Sequence, residues 1–254
     1  KCEMGQVGCR GYCSRDVLVD VYVPGEPRVT YEKVKPAMVK NILNDHIVGG
    51  KVFKKAASKE DYYETLGKQT RVALEHGGAA PVIVEKDADI DSMLPSLVKG
   101  GFYHAGQVCV SVQRVFVHEF LCELVAHRLA EMAKKLVVGD PLDEKTEVGP
   151  LILPREVDRV EAWVKEAVDG GAELLCGGKR ISDSCYEPTV LLNPPSNAKV
   201  STLEVFGPVV CVYSYSDRNE AIKIANGLDV HFQASVFTQD LDIALDTVEK
   251  LDAT

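Results

Sequence analysis

Phe102-Tyr103-His104-Ala105-Gly106-Gln107-Val108-Cys109 places one cysteine behind a Gly-Gln pair, where a long apolar segment ends. A cysteine presented on such a turn can act as a nucleophile. The thiolate attacks far better than the thiol, and an unperturbed cysteine has a pKa near ~8.5. A catalytic cysteine therefore needs a helix N-terminus, a cation or a base beside it. Read alone among valines, Cys109 is more often a small core hydrophobe.

Outward from this motif the pattern is that of an α/β chain. From Thr70 onward strand-like and helix-like stretches alternate, which predicts a layered α/β domain with a parallel or mixed sheet and flanking helices. Val72–Leu74 and Val82–Val84 read as buried strand pieces. Val115–His118, Val209–Tyr213 and Ala234–Phe237 read as further strands. A helix is predicted over about Ser92–Tyr103. Leu121, Leu124, Val125, Leu129 and Met132 mark one face of the next helix. Val157, Val160, Val164 and Val168 mark another, which stops at Gly170-Gly171. Glu220–Ala225 and Leu241–Leu251 are also helix-like.

The first 54 residues read differently. Asp16–Val23 and Arg28–Val34 look like strands around the turn Pro24-Gly25-Glu26-Pro27. Pro36 suits the first turn of a helix with Met38, Val39, Ile42 and Leu43 on one face, and Gly49-Gly50 ends it. Residues 55–69 are polar and read as a connector to a domain over 70–254.

Composition narrows the function classes. Of 254 residues, 46% are hydrophobic and 26% charged, as in a soluble globular protein of one or two domains. No run approaches the roughly 18 apolar residues of a membrane span. No secretory signal opens the chain, so a cytoplasmic location is expected. The net charge of −9 weighs against nucleic acid or an anionic membrane as partner. The cysteines are Cys2, Cys9, Cys13, Cys109, Cys122, Cys176, Cys185 and Cys211. They read as thiols or metal ligands rather than a disulfide framework.

Further motifs follow in a fixed order: Leu74-Glu75-His76-Gly77-Gly78, Gly100–Arg114, Val148-Gly149-Pro150-Leu151-Ile152, Tyr186-Glu187-Pro188-Thr189-Val190 and Glu204-Val205-Phe206-Gly207-Pro208-Val209. Alone, Glu75 is a loop carboxylate, while Glu204 and Phe206 are a charge and an apolar residue before a Gly-Pro turn. Together, from about Arg71 onward, the set resembles the catalytic domain of the aldehyde dehydrogenase superfamily. The resemblance implies that Cys109 adds to an aldehyde carbonyl as a thiohemiacetal, that hydride passes to NAD or NADP, and that a thioester is hydrolysed. It makes Glu75 the general base and the Cys109 backbone N–H half of an oxyanion hole. It assigns Glu204 to the nicotinamide ribose and Phe206 to the nicotinamide ring. Gly77 and Gly78 then allow close backbone approach beside Glu75. His104 stands where the superfamily usually has Asn. The partners implied are a small aldehyde and either further copies of the chain or a larger redox complex.

A complete superfamily member carries a Rossmann-like cofactor domain before the glutamate box. It also continues with a C-terminal strand and an oligomerisation segment. The resemblance includes neither in these 254 residues. The opening segment, Gly8-Cys9-Arg10-Gly11-Tyr12-Cys13 with the hairpin and helix that follow, resembles the second half of a thioredoxin-like [2Fe–2S] ferredoxin. That unit begins the flavin subunit of NADH-quinone oxidoreductases. It implies Cys9 and Cys13 as a half-site for a [2Fe–2S] cluster, which normally takes four thiolates. The alternative function is then a non-catalytic electron-transfer or assembly module.

Overall fold

A computed structural model describes residues 19–21, 29–31, 33–54, 57, 78–228 and 232–253. The chain divides into two compact units, residues 1–72 and 73–254. In the first, β1 (Val19–Val21) pairs antiparallel with β2 (Val29–Tyr31), Val19 opposite Tyr31. The helix α1 (Pro36–Asn41) starts on Pro36 and continues as a wider π turn over Ile42–Val48. Gly50 follows in the left-handed region at φ 63°. Val21, Tyr31, Val34 and Ile42 form a small core.

The expected helical face is only partly correct. Ile42 is buried, but Val39 and Leu43 are more than 40% exposed. The π turn advances the chain by more residues per turn than 3.6. His46 is thereby buried instead, and its Nδ1 lies 2.7 Å from the Tyr31 hydroxyl.

The second unit is one six-stranded sheet in the order β5-β6-β7-β4-β3-β8. Its strands are β3 (Ala80–Val84), β4 (Val112–His118), β5 (Glu173–Cys176), β6 (Thr189–Leu192), β7 (Val209–Tyr215) and β8 (Ser235–Phe237). Only the β5–β6 pair is antiparallel; β6, β7, β4, β3 and β8 run parallel. Parallel strands are covered on both faces and read as continuous apolar runs, which is why β3, β4 and β7 stand out in the sequence. β5 does not, because its first two residues are exposed, and the first two residues of β6 fall inside the motif Tyr186–Val190.

Helices cover both faces. Val82 and Val84 of β3 and Val115 and Val117 of β4 meet α2 (Ile90–Phe102), α3 (Glu119–Ala133) and α4 (Pro154–Asp169). Ile83 and Phe116 point the other way, toward Ala221 and Ala225 of α6 (Arg218–Ala225). The short α5 (Lys199–Thr202) and α7 (Leu241–Lys250) complete the set. α2 starts two residues before the expected Ser92 because the Asp89 carboxylate accepts from the N–H groups of Asp91 and Ser92. On α3, Val125 and Leu129 are buried as expected, whereas Leu124 is 50% exposed and lies off the packed face. Among the described residues no helix is long and apolar enough to cross a membrane.

One side chain ties three parts of this unit together. Arg114, in the middle of β4, is 2% exposed. Its Nε donates to Ala79 O (3.0 Å), its Nη1 to Ile224 O (3.3 Å) and its Nη2 to Ala225 O (2.9 Å). It thus caps the last turn of α6 and holds the chain entering β3. Burial pulls the guanidinium down to about 10, which leaves it charged at neutral pH. Arg114→Met leaves these carbonyls buried and unbonded. We expect it to lower the unfolding free energy by about 3 kcal/mol, measured by urea denaturation at neutral pH.

Candidate active site

The motif residues gather at one edge of the sheet. Gly78 and Ala79 lead into β3, residues 103–111 into β4 and residues 203–208 into β7. All three loops precede parallel strands and therefore sit at the amino ends. A hollow of about 10 Å³ at this edge is lined by Gly78, Gly106, Val108, Ser111, Gln113, Glu204, Phe206, Gly207 and Val209. Three of the ordered motifs meet there. The space holds about one water, so any larger group lies on this face rather than inside it.

Cys109 is presented on a tight turn. The Ser111 N–H donates to Val108 O at 2.9 Å, which puts Cys109 and Val110 at the corner. Cys109 is half-buried, while Cys122, Cys176, Cys185 and Cys211 are buried. Burial pushes the Cys122 and Cys176 thiols up to about 11, so both are inert at neutral pH. Of the described cysteines, Cys109 has the exposure a nucleophile needs.

The approach to Cys109 is left-handed. His104, Ala105 and Gly106 follow one another at φ 51°, 57° and 70°. A non-glycine residue there costs roughly 1 kcal/mol or more. Phe206 shares this conformation at φ 48°. Three of the five described non-glycine residues with positive φ thus lie in the site, as expected where backbone strain serves geometry. At Gly106 the constraint is also steric. A Cβ there would meet Gly207 O at 2.1 Å, so the cysteine loop and the Glu204 segment touch backbone to backbone.

Side chains hold these loops. Gln113 Nε2 donates to Val200 O (2.9 Å) and Leu203 O (2.8 Å), and its Oε1 accepts from Val205 N (2.8 Å). Arg159 Nη2 donates to Val205 O at 2.7 Å, braced by Glu156 and stacked 4.6 Å from the Trp163 ring. Both backbone groups of Val205 are thereby pinned, which orients Glu204 and Phe206 on either side. Ser111 Oγ donates to Gly100 O, and Gln107 bridges to Pro150 and Ile152.

Sequence reading placed Cys109, Glu204 and Phe206, and the structure brings the Cys109 loop, Glu204 and Phe206 to one edge. Glu75, Gly77, Cys9, Cys13 and the strand piece Val72–Leu74 lie outside the described residues, as does most of the 55–69 connector. Sequence reading missed Gln113, Arg114 and Arg159 as supports. A signal existed: Gln113 and Arg114 interrupt an apolar strand, and a charge inside a buried strand needs a partner.

Two substitutions test this geometry. Gly106→Ala adds both a strained φ and an overlap with Gly207. It is expected to destabilise by about 3 kcal/mol in urea denaturation. Gln113→Leu frees residues 203–206. Amide hydrogen exchange is expected to speed up there by about tenfold while β3 stays protected.

Comparison with known proteins agrees with this layout. The model of the aldehyde dehydrogenase family matches residues 45–254, and so begins inside the segment read as ferredoxin-like. The 3-sulfolactaldehyde dehydrogenase of Priestia aryabhattai is 42% identical over 182 residues, covering 72% of this chain and 38% of that protein. The lactaldehyde dehydrogenase of Methanococcus vannielii is 44% identical over 182 residues, 72% of this chain and 39% of its own length. A crystal structure of glyceraldehyde-3-phosphate dehydrogenase GapN from Methanocaldococcus jannaschii, complexed with NADP, superposes with a TM-score of 0.69 at 38% identity. It covers 75% of this chain and 42% of that one. The chain thus spans about two fifths of the length of these relatives. These matches give no support to a [2Fe–2S] cluster or to the electron-transfer alternative. With the family's motifs converging on one edge of the family's sheet, the chain belongs to the aldehyde dehydrogenase family.

Proposed function

We propose that this chain carries the thiol and carboxylate part of an NAD(P)-dependent aldehyde oxidation. The observation that supports this best is the hollow shared by the Cys109 loop, by Gly78 of the glutamate box and by Glu204 and Phe206. In this reading the Cys109 thiolate adds to the aldehyde carbon, and the Cys109 N–H donates to the oxyanion. Glu75, three residues before Gly78, takes the proton from the water that hydrolyses the thioester left once the thiohemiacetal carbon has lost its hydride. When bound, NAD or NADP accepts the hydride lost by the substrate carbon.

The donor set suits that cofactor. Glu204 and Phe206 are both half-buried at the same face. A carboxylate there accepts from ribose hydroxyls, and a flat ring beside it packs against a nicotinamide. Relatives named for sulfolactaldehyde and lactaldehyde support a small aldehyde as the substrate class.

The test is reduction of NAD⁺ and NADP⁺ with a panel of small aldehydes. Cys109→Ala is expected to lower the rate by about 1,000-fold. Glu75→Gln is expected to keep a first-turnover burst and to lower steady turnover by about 100-fold. Equal rates for wild type and Cys109→Ala overturn the reading.

A further inference from the structure

Gln107 stands two residues before Cys109 and uses its whole amide. Nε2 donates to His104 O and to Pro150 O, each at 3.2 Å, and Oε1 accepts from Ile152 N at 2.8 Å. The bond to His104 closes the left-handed turn on itself, beside the backbone bond from Gln107 N to the same carbonyl. The other two fasten that turn to a segment more than 40 residues away in sequence. That segment is anchored in its turn, because Leu151 N donates to Ser184 O at 2.7 Å.

His104 and Ala105 have every reason to leave their conformation if released. Both carry a Cβ and both sit at positive φ, while right-handed and extended regions are open to them. Either move swings the chain that leads to Cys109. Packing holds the middle of the turn, where Ala105 is buried in the core and Gly106 abuts Gly207. The Gln107 amide adds the hydrogen-bonded restraint at the His104 end and ties the turn to Pro150 and Ile152. It meets backbone groups only, at hydrogen-bonding distances, and so fixes where the loop lies rather than what it is made of.

We infer that Gln107 is the positioning residue of the nucleophile: it holds residues 104–106 left-handed and thereby sets the place of the Cys109 thiol. The inference rests on reading Cys109 as the reacting group. Gln107 itself touches no reacting atom.

Alkylation by iodoacetamide, followed by mass spectrometry of the Cys109 peptide well below the melting temperature, tests this without aldehyde or nicotinamide. Gln107→Met matches the glutamine in length and lacks its hydrogen bonds. It is expected to raise the Cys109 rate at least about fivefold, with buried Cys185 unchanged as internal reference. Gln107→Glu keeps only the acceptor for Ile152 N–H and is expected to fall between the two; it replaces Gln107→Met if that variant fails to fold. Where wild type oxidises an aldehyde, Gln107→Met is expected to lower kcat by about tenfold or more with KM unchanged. A lower melting temperature with an unaltered Cys109 rate in both variants overturns the proposal and leaves Gln107 merely structural. An altered Cys109 rate in a chain whose wild type oxidises no aldehyde sustains the positioning role and overturns the functional reading instead.

Discussion

The loops at the amino edge of this sheet have no ladder to satisfy their backbone groups, and side chains from β4, its approach and α4 do it for them. Buried N–H and C=O groups must find partners. Arg114 supplies Ala79, Ile224 and Ala225, and Gln113 supplies Val200, Leu203 and Val205. Gln107 and Arg159 complete the arrangement. Consecutive positions 113 and 114 point to opposite faces of the strand. One therefore reaches the Glu204 segment and the other reaches α6 and the entry to β3.

This support allows strain where the chemistry would sit. Two backbones meet at Gly106 and Gly207 at a distance that no Cβ permits. His104, Ala105 and Phe206 stay left-handed on either side of that contact. Such geometry persists only when neighbours over-determine it. Open α/β sheets commonly bind ligands at the carboxyl ends of their strands. Here the motif residues take the amino ends instead. The carboxyl ends of β3 and β8 are occupied by a fixed polar arrangement, in which Asp87 accepts from Thr238 Oγ1 and Gln239 N.

Where sequence reading fell short, the reasons are local and physical. Val39 and Leu43 keep helical spacing in the sequence, but the π turn changes the period and His46 is turned inward. Leu124 fits an apolar stripe by spacing alone, yet the surface it would need is not offered by any packed neighbour among the described residues, and it stays exposed. β5 is an antiparallel edge strand with its first two residues exposed, so it carries no buried apolar run. Gln113 and Arg114 look like interruptions of an apolar strand until their partners, 35 to 111 residues away, are known.

The sequence by itself determined the class of fold, the strands β3, β4 and β7, and the order of motifs that marks Cys109, Glu204 and Phe206, because burial on both faces and fixed motif spacing are written into neighbouring residues. Only the tertiary structure decided that these motifs share one hollow at the amino edge, that the turn before Cys109 is left-handed and tied down by Gln107, and that Gln113 and Arg159 pin the Glu204 segment beside it. Those facts depend on which carbonyls lie opposite which donors across the fold, and no local pattern of residues records that.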